Sequence, residues 1–404
     1  MKVVADGEQL PDEPGPFYVE GARAGAPVQV SVSWRVGAAS VLSTAWFVAD
    51  AAGRVDPRRQ PAFAGDYLGL DPFGLFWSAR AADGSTPPPA DGNLEVEVHA
   101  RCDDDVAVGS YLLLARRADV IVTEIEEEGL VARLFQTAGP GVVVLGGSDG
   151  GLGTSGRIAG LLSSRGLTAL ALGYFDLAGL PQQLDGVAVE TIARGLERLT
   201  ELTNTRSALL GISRGAELAL LASSLYPDLV RRTAAVVPSL YLWPALATPT
   251  AAAWTMAGQP LPFIPDEPES AAAEVAQVNH STDPAAPYME AALATATGVQ
   301  REAARIRLED ITAPVLLVSG AADALWPSAA QCLTVVEELA DDHYQHLSYA
   351  GAGHRLSAFP TTPMSTSVTT ADGFRLEFGG SAQATAAASA DLWARLPTWL
   401  RAGD

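Results

Sequence analysis

A serine in a Gly-x-Ser-x-Gly pattern is the residue of this chain whose setting best suits covalent chemistry. Ser213 stands in GISRG (211–215), directly after the apolar run SALLGI and directly before the run RGAELALL. In a nucleophile elbow the serine occupies a tight strand-to-helix turn, and small residues two positions away let neighbouring backbones approach. A serine that caps a helix after a glycine turn is the alternative. The position between a strand and a helix favours the nucleophile.

A serine hydroxyl needs a base, and an acid followed by a histidine occurs downstream in the order that this arrangement uses. Asp323 ends the run PVLLVSGAAD, where a loop leaves the carboxyl end of a strand. His354 lies in GAGHRL, after the strand-like run HYQHLSYAG. We therefore expect Ser213 to act as nucleophile, His354 as base and Asp323 as the acid that orients the base.

Backbone donors for an oxyanion are expected at two places. The N–H of Arg214 opens the helix after the serine and would point at the developing charge. The glycine-rich segment VVLGGSDGGLG would supply the second donor from Gly147 or Ser148. A phosphate-binding loop is the other interpretation of this segment, but the GK[ST] ending is missing and the GxGxxG spacing is not clean.

The elements that must position these residues alternate between strand-like and helix-like runs from about residue 139. The buried strands are predicted in PGVVVLGG, LTALALGYF, RSALLGIS, RTAAVVPS and APVLLVSG, and the helices in SGRIAGLLSSRG, DGVAVETIARGLERLTEL, RGAELALLASSLYP, AAQCLTVVEELAD and SAQATAAASADLWARLPTWL. Such alternation is typical of a mostly parallel sheet with helices on both faces. The predicted fold class is α/β, a doubly wound α/β-hydrolase domain over residues 131–404.

Residues 1–130 differ from the rest of the chain. Short β-branched runs such as VQVSVSWRV, SVLSTAWFVAD and LEVEVHARC are separated by clusters of Gly, Pro and Asp. This pattern predicts an all-β, immunoglobulin-like sandwich domain with a packing or substrate-covering role.

Residues 238–307 interrupt the alternation with a Pro- and Ala-rich insertion. In a hydrolase such an insertion can form a cap over the active site, although it could also be a surface loop. Trp243, Trp254 and Phe263 lie in the insertion and could line an acyl pocket or belong to the core.

Composition excludes several classes of protein. The chain has 404 residues, a formal net charge of −21 and a single lysine, Lys2. This charge and the lack of a basic run argue against nucleic-acid binding. No apolar run is long enough for a membrane span, and the first residues lack the apolar core of a signal peptide, so a cytoplasmic enzyme is expected.

Metal and redox chemistry are not expected either. The five histidines have no metal-ligand spacing, and Cys102 and Cys332 are interpreted as structural thiols. We predict no metal and no cofactor, and the oligomeric state is left open.

Several long segments together resemble the family of acyl-CoA thioesterases and bile-acid-CoA:amino acid N-acyltransferases. LSTAWFVADAAGRVD and DYLGLDPFGLFWS are similar to its N-terminal β-sandwich domain. In the C-terminal part, LGGSDGGLG, LALGYFDLAGLP, LLGISRGAELAL and GAGHRLSAFP match in order, and FGGSAQATAAASADLWARL is similar to its closing helix.

The resemblance implies hydrolysis of an acyl thioester, linked to CoA or to a carrier protein, through an acyl-enzyme on Ser213. Asp323 and His354 would take the other triad positions. Members that transfer the acyl group to an amine generally carry Cys where this chain has Ser213, which favours water as acceptor. Acyl transfer to an amine or alcohol, ester or lactone hydrolysis, and a non-catalytic binding role are the alternatives.

Overall fold

The computed structural model of the chain describes residues 1–5, 7–87, 89–127, 129–246, 248–265, 286–339, 342–369 and 375–403. The chain divides into two compact units. The first comprises Met1–Arg117, Ala358–Ser365 and Ser381–Ala394, and the second Ala118–Ser357, Thr366–Gly380 and Arg395–Asp404.

The first unit is rich in β-structure, as predicted. Its elements are β1 (Lys2–Ala5), β2 (Glu8–Gln9), β3 (Phe17–Glu20), β4 (Pro27–Val36), β5 (Ala39–Val48), β6 (Ala64–Gly65), α1 (Gly74–Trp77), β7 (Arg80–Ala81), β8 (Leu94–Cys102) and β9 (Asp105–Leu113). The main sheet has the order β2-β9-β8-β4-β5-β6, with β7 also paired to β5, and β1 pairs with β3 in a separate ribbon. Alternate residues of β4, including Val28, Val30 and Val32, are fully buried. One face of the sheet therefore forms the core of this unit, as the period-2 pattern requires.

The second unit is built on an eight-stranded sheet of order β10-β11-β13-β12-β15-β16-β19-β20. The sheet strands are β10 (Ile121–Glu127), β11 (Leu130–Gln136), β12 (Gly141–Leu145), β13 (Thr168–Gly173), β15 (Ser207–Ile212), β16 (Val230–Val236), β19 (Val315–Gly320) and β20 (Tyr344–Tyr349). Shorter strands are β14 (Val187–Ala188), β17 (Trp254–Met256), β18 (Gln259–Pro260), β21 (Ser367–Thr369) and β22 (Arg375–Glu377). The helices are α2 (Gly153–Ser164), α3 (Glu190–Thr203), α4 (Arg214–Leu225), α5 (Ala286–Thr295), α6 (Gly298–Ala304) and α7 (Ser328–Leu339). A last helix, α8 (Ala382–Arg401), has residues in both units.

The six strands from β12 onward in this sheet run parallel. Every residue of β12, β13, β15, β16 and β19 is buried. Burial on both faces explains why four of these strands are mainly apolar runs rather than alternating ones. β16 is the exception, because it also buries Arg231, Arg232 and Thr233. On α3, Ile192, Leu196 and Leu199 are buried on one face at helical spacing. The strand order and the intervening helices confirm the predicted α/β-hydrolase fold.

The hairpin β10–β11 is where the structure departs from the expected organisation. The two strands pair antiparallel, and β11 also pairs antiparallel with β13, so both belong to the eight-stranded sheet. The expected boundary at residue 130 falls inside this hairpin, whereas the first unit's N-terminal stretch ends at Arg117. A short β-branched strand has the same sequence pattern in a sandwich and at the edge of a hydrolase sheet. The pattern depends on which residues are buried and not on which strand pairs with the segment.

Among the helices that the structure describes, none is long and apolar enough to cross a membrane. Cys102 and Cys332 are buried and unbridged, each within its own unit. The predicted insertion at 238–307 contains β17, β18, α5 and α6, and its residues 266–285 lie outside the described part of the chain.

Candidate active site

Ser213 sits on a sharp turn between β15 and α4. Its backbone has φ 55° and ψ −118°, a conformation that costs free energy for a residue with a side chain. A Cβ atom on Gly211 would overlap the Gly215 carbonyl oxygen, and one on Gly215 would overlap the Gly146 carbonyl oxygen. Both glycines are therefore required by close backbone packing. The Ser213 N–H donates to the Val236 carbonyl at 2.9 Å, which ties the turn to β16.

The structure brings together the three side chains that the sequence nominated. His354 Nε2 lies 3.0 Å from Ser213 Oγ, and His354 Nδ1 lies 2.9 Å from Asp323 Oδ2. Because a carboxylate can only accept, this geometry assigns the ring proton to Nδ1 and leaves Nε2 to accept from the serine hydroxyl. The histidine and aspartate side chains are 7% and 1% exposed. The arrangement can move a proton from Ser213 to the ring without intervening water.

The loop after β19 fixes the Asp323 carboxylate. Oδ1 accepts from the N–H of Leu325 at 2.9 Å and of Trp326 at 3.3 Å, and Oδ2 accepts from Ser328 Oγ at 2.8 Å. The Trp326 ring stands edge-on to the His354 ring, with centroids 5.9 Å apart. Sequence reasoning did not nominate Trp326 or Ser328, although the spacing of Ser328 five residues after Asp323 could have suggested the hydrogen bond.

The predicted oxyanion donors lie on two segments that meet at Ser213. Arg214 is the first residue of α4, and the first N–H groups of a helix have no acceptor within it. A Cβ atom placed on Gly147 would be 3.5 Å from Ser213 Cβ and 3.4 Å from the Ile212 carbonyl oxygen, so the glycine loop lies next to the turn. Gly147 is buried, and Ser148 is exposed at the start of a turn.

A buried ion pair follows the serine on α4. Arg214 Nη1 lies 3.0 Å from Glu217 Oε2, with side chains only 4% and 0% exposed. The guanidinium also donates to the carbonyls of Trp243 and Pro244, and Glu217 Oε1 accepts from Trp254 Nε1 at 2.6 Å. Burial raises the pKa of Glu217, and the Arg214 charge acts in the opposite direction. The pair joins α4 to the segment that begins the insertion.

Comparison with known proteins adds to this geometry. The model of the "BAAT / Acyl-CoA thioester hydrolase C terminal" family matches residues 190–402, and the model of the family's N-terminal region matches residues 12–103. The chain belongs to the acyl-CoA thioester hydrolase/BAAT family. It is an enzyme of that thioesterase-like type.

Individual relatives are distant. Acyl-coenzyme A thioesterase 6 of Homo sapiens is 25% identical over 414 residues, 96% of this chain and 93% of that protein. Bile acid-CoA:amino acid N-acyltransferase of Mus musculus is 28% identical over 233 residues, which cover 52% of this chain and 55% of that protein. Among solved structures, the Paleococcus ferrophilus monoacylglycerol lipase has a TM-score of 0.43 at 18% identity, covering 67% of this chain and 98% of that one.

In this family member the aromatic residues that were candidates for an acyl pocket have different environments. Trp254 is 1% exposed within the main core, and Trp243 is 5% exposed in a smaller cluster that includes Trp326. The indole nitrogen of Trp243 donates to Ser239 Oγ at 2.8 Å. Both rings are buried in these clusters, and their role in an acyl pocket stays a prediction. Phe263 is partly buried and packs against the main core.

Proposed function

We propose that this enzyme hydrolyses acyl thioesters of the acyl-CoA type through a covalent acyl-enzyme on Ser213. The observation that carries the proposal is the continuous chain of hydrogen bonds from Ser213 Oγ through His354 to Asp323, with distances of 3.0 Å and 2.9 Å. The strained turn at Ser213 supports the same role, because backbone strain is retained where the surrounding structure enforces it for function.

In the first half-reaction His354 Nε2 takes the proton of Ser213 Oγ while the oxygen attacks the thioester carbonyl carbon. The resulting oxyanion accepts hydrogen bonds from the N–H of Arg214 and from the loop of Gly147 and Ser148. Collapse of this intermediate breaks the carbon–sulfur bond, and the leaving sulfur takes the proton held by His354, which returns the ring to its neutral form for the second half-reaction. Asp323 stabilises the imidazolium ring and keeps its orientation.

In the second half-reaction His354 takes a proton from a water molecule that attacks the acyl-enzyme. The C–O bond to Ser213 breaks, the serine oxygen recovers its proton from His354, and the carboxylic acid is released. The same residue therefore acts as base and then acid in each step.

The family relationship supports the choice of a thioester. The relatives include human acyl-coenzyme A thioesterases 1, 2 and 6, and a mouse peroxisomal succinyl-coenzyme A thioesterase. Because a thiolate is a better leaving group than an alkoxide, activation of Ser213 and of water demands more of His354 than protonation of the leaving group does.

The direct test is thiol release by the purified chain from acyl-CoAs of increasing length. Ser213→Ala should lower kcat by at least about 10³-fold, since the nucleophile and base act as one unit. Ser224→Ala is the matched control, because Ser224 lies at the other end of α4 and its hydroxyl donates to the Leu221 carbonyl of the same helix. Equal turnover by Ser213→Ala and Ser224→Ala would reject the proposal.

Acyl transfer to an amine is the second candidate, because the 28% identical mouse relative is an amino acid N-acyltransferase. The same acyl-enzyme would then be attacked by an amine in place of water. Incubation with an acyl-CoA and glycine or taurine distinguishes the two reactions: an N-acyl product in excess of free acid supports transfer, and free acid alone supports hydrolysis.

A further inference from the structure

Tyr174 follows β13 and occupies a rigid position in the second unit. Its ring is 4% exposed and packs near the rings of Phe175 and Trp254, with centroids 5.2 Å and 6.0 Å away. The Trp254 ring is itself held by its hydrogen bond to Glu217. The aromatic packing therefore leaves the hydroxyl of Tyr174 little freedom to move.

The hydroxyl of Tyr174 reaches two consecutive carbonyl groups of the glycine loop. It lies 2.7 Å from the Gly146 oxygen and 3.0 Å from the Gly147 oxygen. Burial raises the pKa of Tyr174 well above its ordinary value, so the hydroxyl keeps its proton and donates. Its single proton is shared between the two carbonyls.

Because the peptide bond is planar, the direction of each carbonyl fixes the direction of the N–H group of the next residue. The Gly146 carbonyl and the Gly147 N–H belong to one planar trans peptide and point in opposite directions, as do the Gly147 carbonyl and the Ser148 N–H. A hydroxyl that draws both carbonyls to one side turns both N–H groups to the other. The second oxyanion donor is predicted to be one of these two N–H groups, that of Gly147 or that of Ser148.

The contacts of Gly147 show that this loop adjoins the reacting serine. The position of a Cβ on Gly147 is 3.5 Å from Ser213 Cβ, and the Gly146 oxygen packs directly on Gly215. The Gly146 oxygen thus contacts both the elbow at Gly215 and the Tyr174 hydroxyl.

We propose that Tyr174 is a positioning residue that orients the Gly147 and Ser148 N–H groups toward the oxyanion formed at Ser213. The inference rests on the proposed acyl-enzyme mechanism. Tyr174 should therefore stabilise the transition state more than it strengthens substrate binding, because an oxyanion hole acts on charge that develops during the reaction.

Tyr174→Phe tests this inference, because it removes only the hydroxyl. The matched control is Tyr344→Phe. It also removes a buried tyrosine hydroxyl, which donates to the Leu308 carbonyl and lies away from Ser213. Thermal unfolding of both variants shows whether each is folded. The kinetic readouts are kcat and KM for an acyl-CoA, together with the inhibition constant of a trifluoromethyl ketone analogue, whose adduct with Ser213 carries an oxyanion.

Tyr174→Phe should lower kcat by roughly 10- to 100-fold with KM within about threefold, somewhat less than the loss of an entire oxyanion donor. The trifluoromethyl ketone should weaken by a similar factor. Tyr344→Phe should leave kcat and the inhibition constant near the wild-type values. A Tyr174→Phe enzyme with wild-type kcat, or with a reduced kcat but unchanged inhibitor affinity, would overturn the inference.

The wild-type protein separates this inference from the proposed function. If it neither releases thiol nor reacts at Ser213, both proposals fail together. If it is active and Tyr174→Phe behaves like Tyr344→Phe, only the role of Tyr174 is rejected.

If Tyr174→Phe does not fold, Phe175→Leu provides a second variant. This substitution loosens the packing of the Tyr174 ring and should lower kcat more than it raises KM. An unchanged kcat would contradict the inference.

Discussion

Ser213 is set apart from the other serines by its backbone conformation. Among the described residues it is the only serine with positive φ, at 55°. The conformation is maintained by close packing at Gly211 and Gly215 and by the hydrogen bond to Val236. The Ser213 hydroxyl is thereby held 3.0 Å from His354 Nε2.

Asp323→Asn should lower kcat by about 10³- to 10⁴-fold. An amide can present its NH₂ group to His354 Nδ1, which favours the tautomer that cannot take the proton of Ser213. Steady-state thiol release measures the effect. Ser328→Ala is the control, since it removes one donor to the carboxylate and leaves the other contacts in place, and its kcat should fall less than about tenfold. An Asp323→Asn enzyme as active as Ser328→Ala would show that Asp323 does not orient the base.

Chain order and strand ends were enough to predict that Ser213, Asp323 and His354 would converge. Tyr174 and Glu217 could not be nominated in the same way, because their roles depend on hydrogen bonds to Gly146 and Trp254, which are distant in sequence. For Trp243 the sequence was ambiguous, since an apolar ring in an insertion has the same pattern whether it lines a pocket or fills a core.

Helix α4 depends on a buried charge. Glu217 accepts from Arg214, Trp243 and Trp254, and none of its side chain is exposed. Breaking a buried pair by removing one partner leaves an uncompensated charge, which costs far more than losing a surface pair.

Glu217→Ala should lower the free energy of unfolding by about 3–5 kcal/mol, because it leaves the Arg214 guanidinium buried without its carboxylate. Urea unfolding provides the measurement. Glu201→Ala removes the acid of an exposed pair with Arg198 at the same i,i+3 spacing, and it should cost about 0.5 kcal/mol or less. Similar losses in the two variants would contradict the assignment of a buried, interdependent pair.

The parallel strands were predictable as short apolar runs and the helices from their helical spacing, whereas the hairpin β10–β11 was not assigned to its sheet. Short, continuous, β-branched runs such as GVVVL favour a strand covered on both faces. The segment IVTEIEE has one buried residue, Ile125, and six that are wholly or partly exposed. Such an edge strand carries no information about which sheet it joins.

The whole molecule carries a formal charge of −21. A CoA ester bears several phosphate charges of the same sign, so the long-range field opposes its approach. Salt screens this repulsion, because the Debye length falls from about 30 Å at 0.01 M to about 10 Å at 0.1 M.

For an acyl-CoA, kcat/KM should therefore rise roughly two- to fivefold when the ionic strength increases from about 0.01 M to about 0.1 M. The matched probe is the N-acetylcysteamine thioester of the same acyl group, which is uncharged and should change by less than about twofold over that range. A decrease in kcat/KM for the CoA ester alone would show instead that a local cationic surface attracts the phosphates.

The most direct measurement is intact-protein mass spectrometry of the chain mixed rapidly with an acyl-CoA and quenched in acid, followed by peptide mapping. We predict a mass increase of one acyl group per chain, located on the peptide that contains Ser213 and absent from Ser213→Ala. Thiol release that proceeds in Ser213→Ala, or an acyl group that maps to a different residue, would contradict the assignment of Ser213 as the nucleophile.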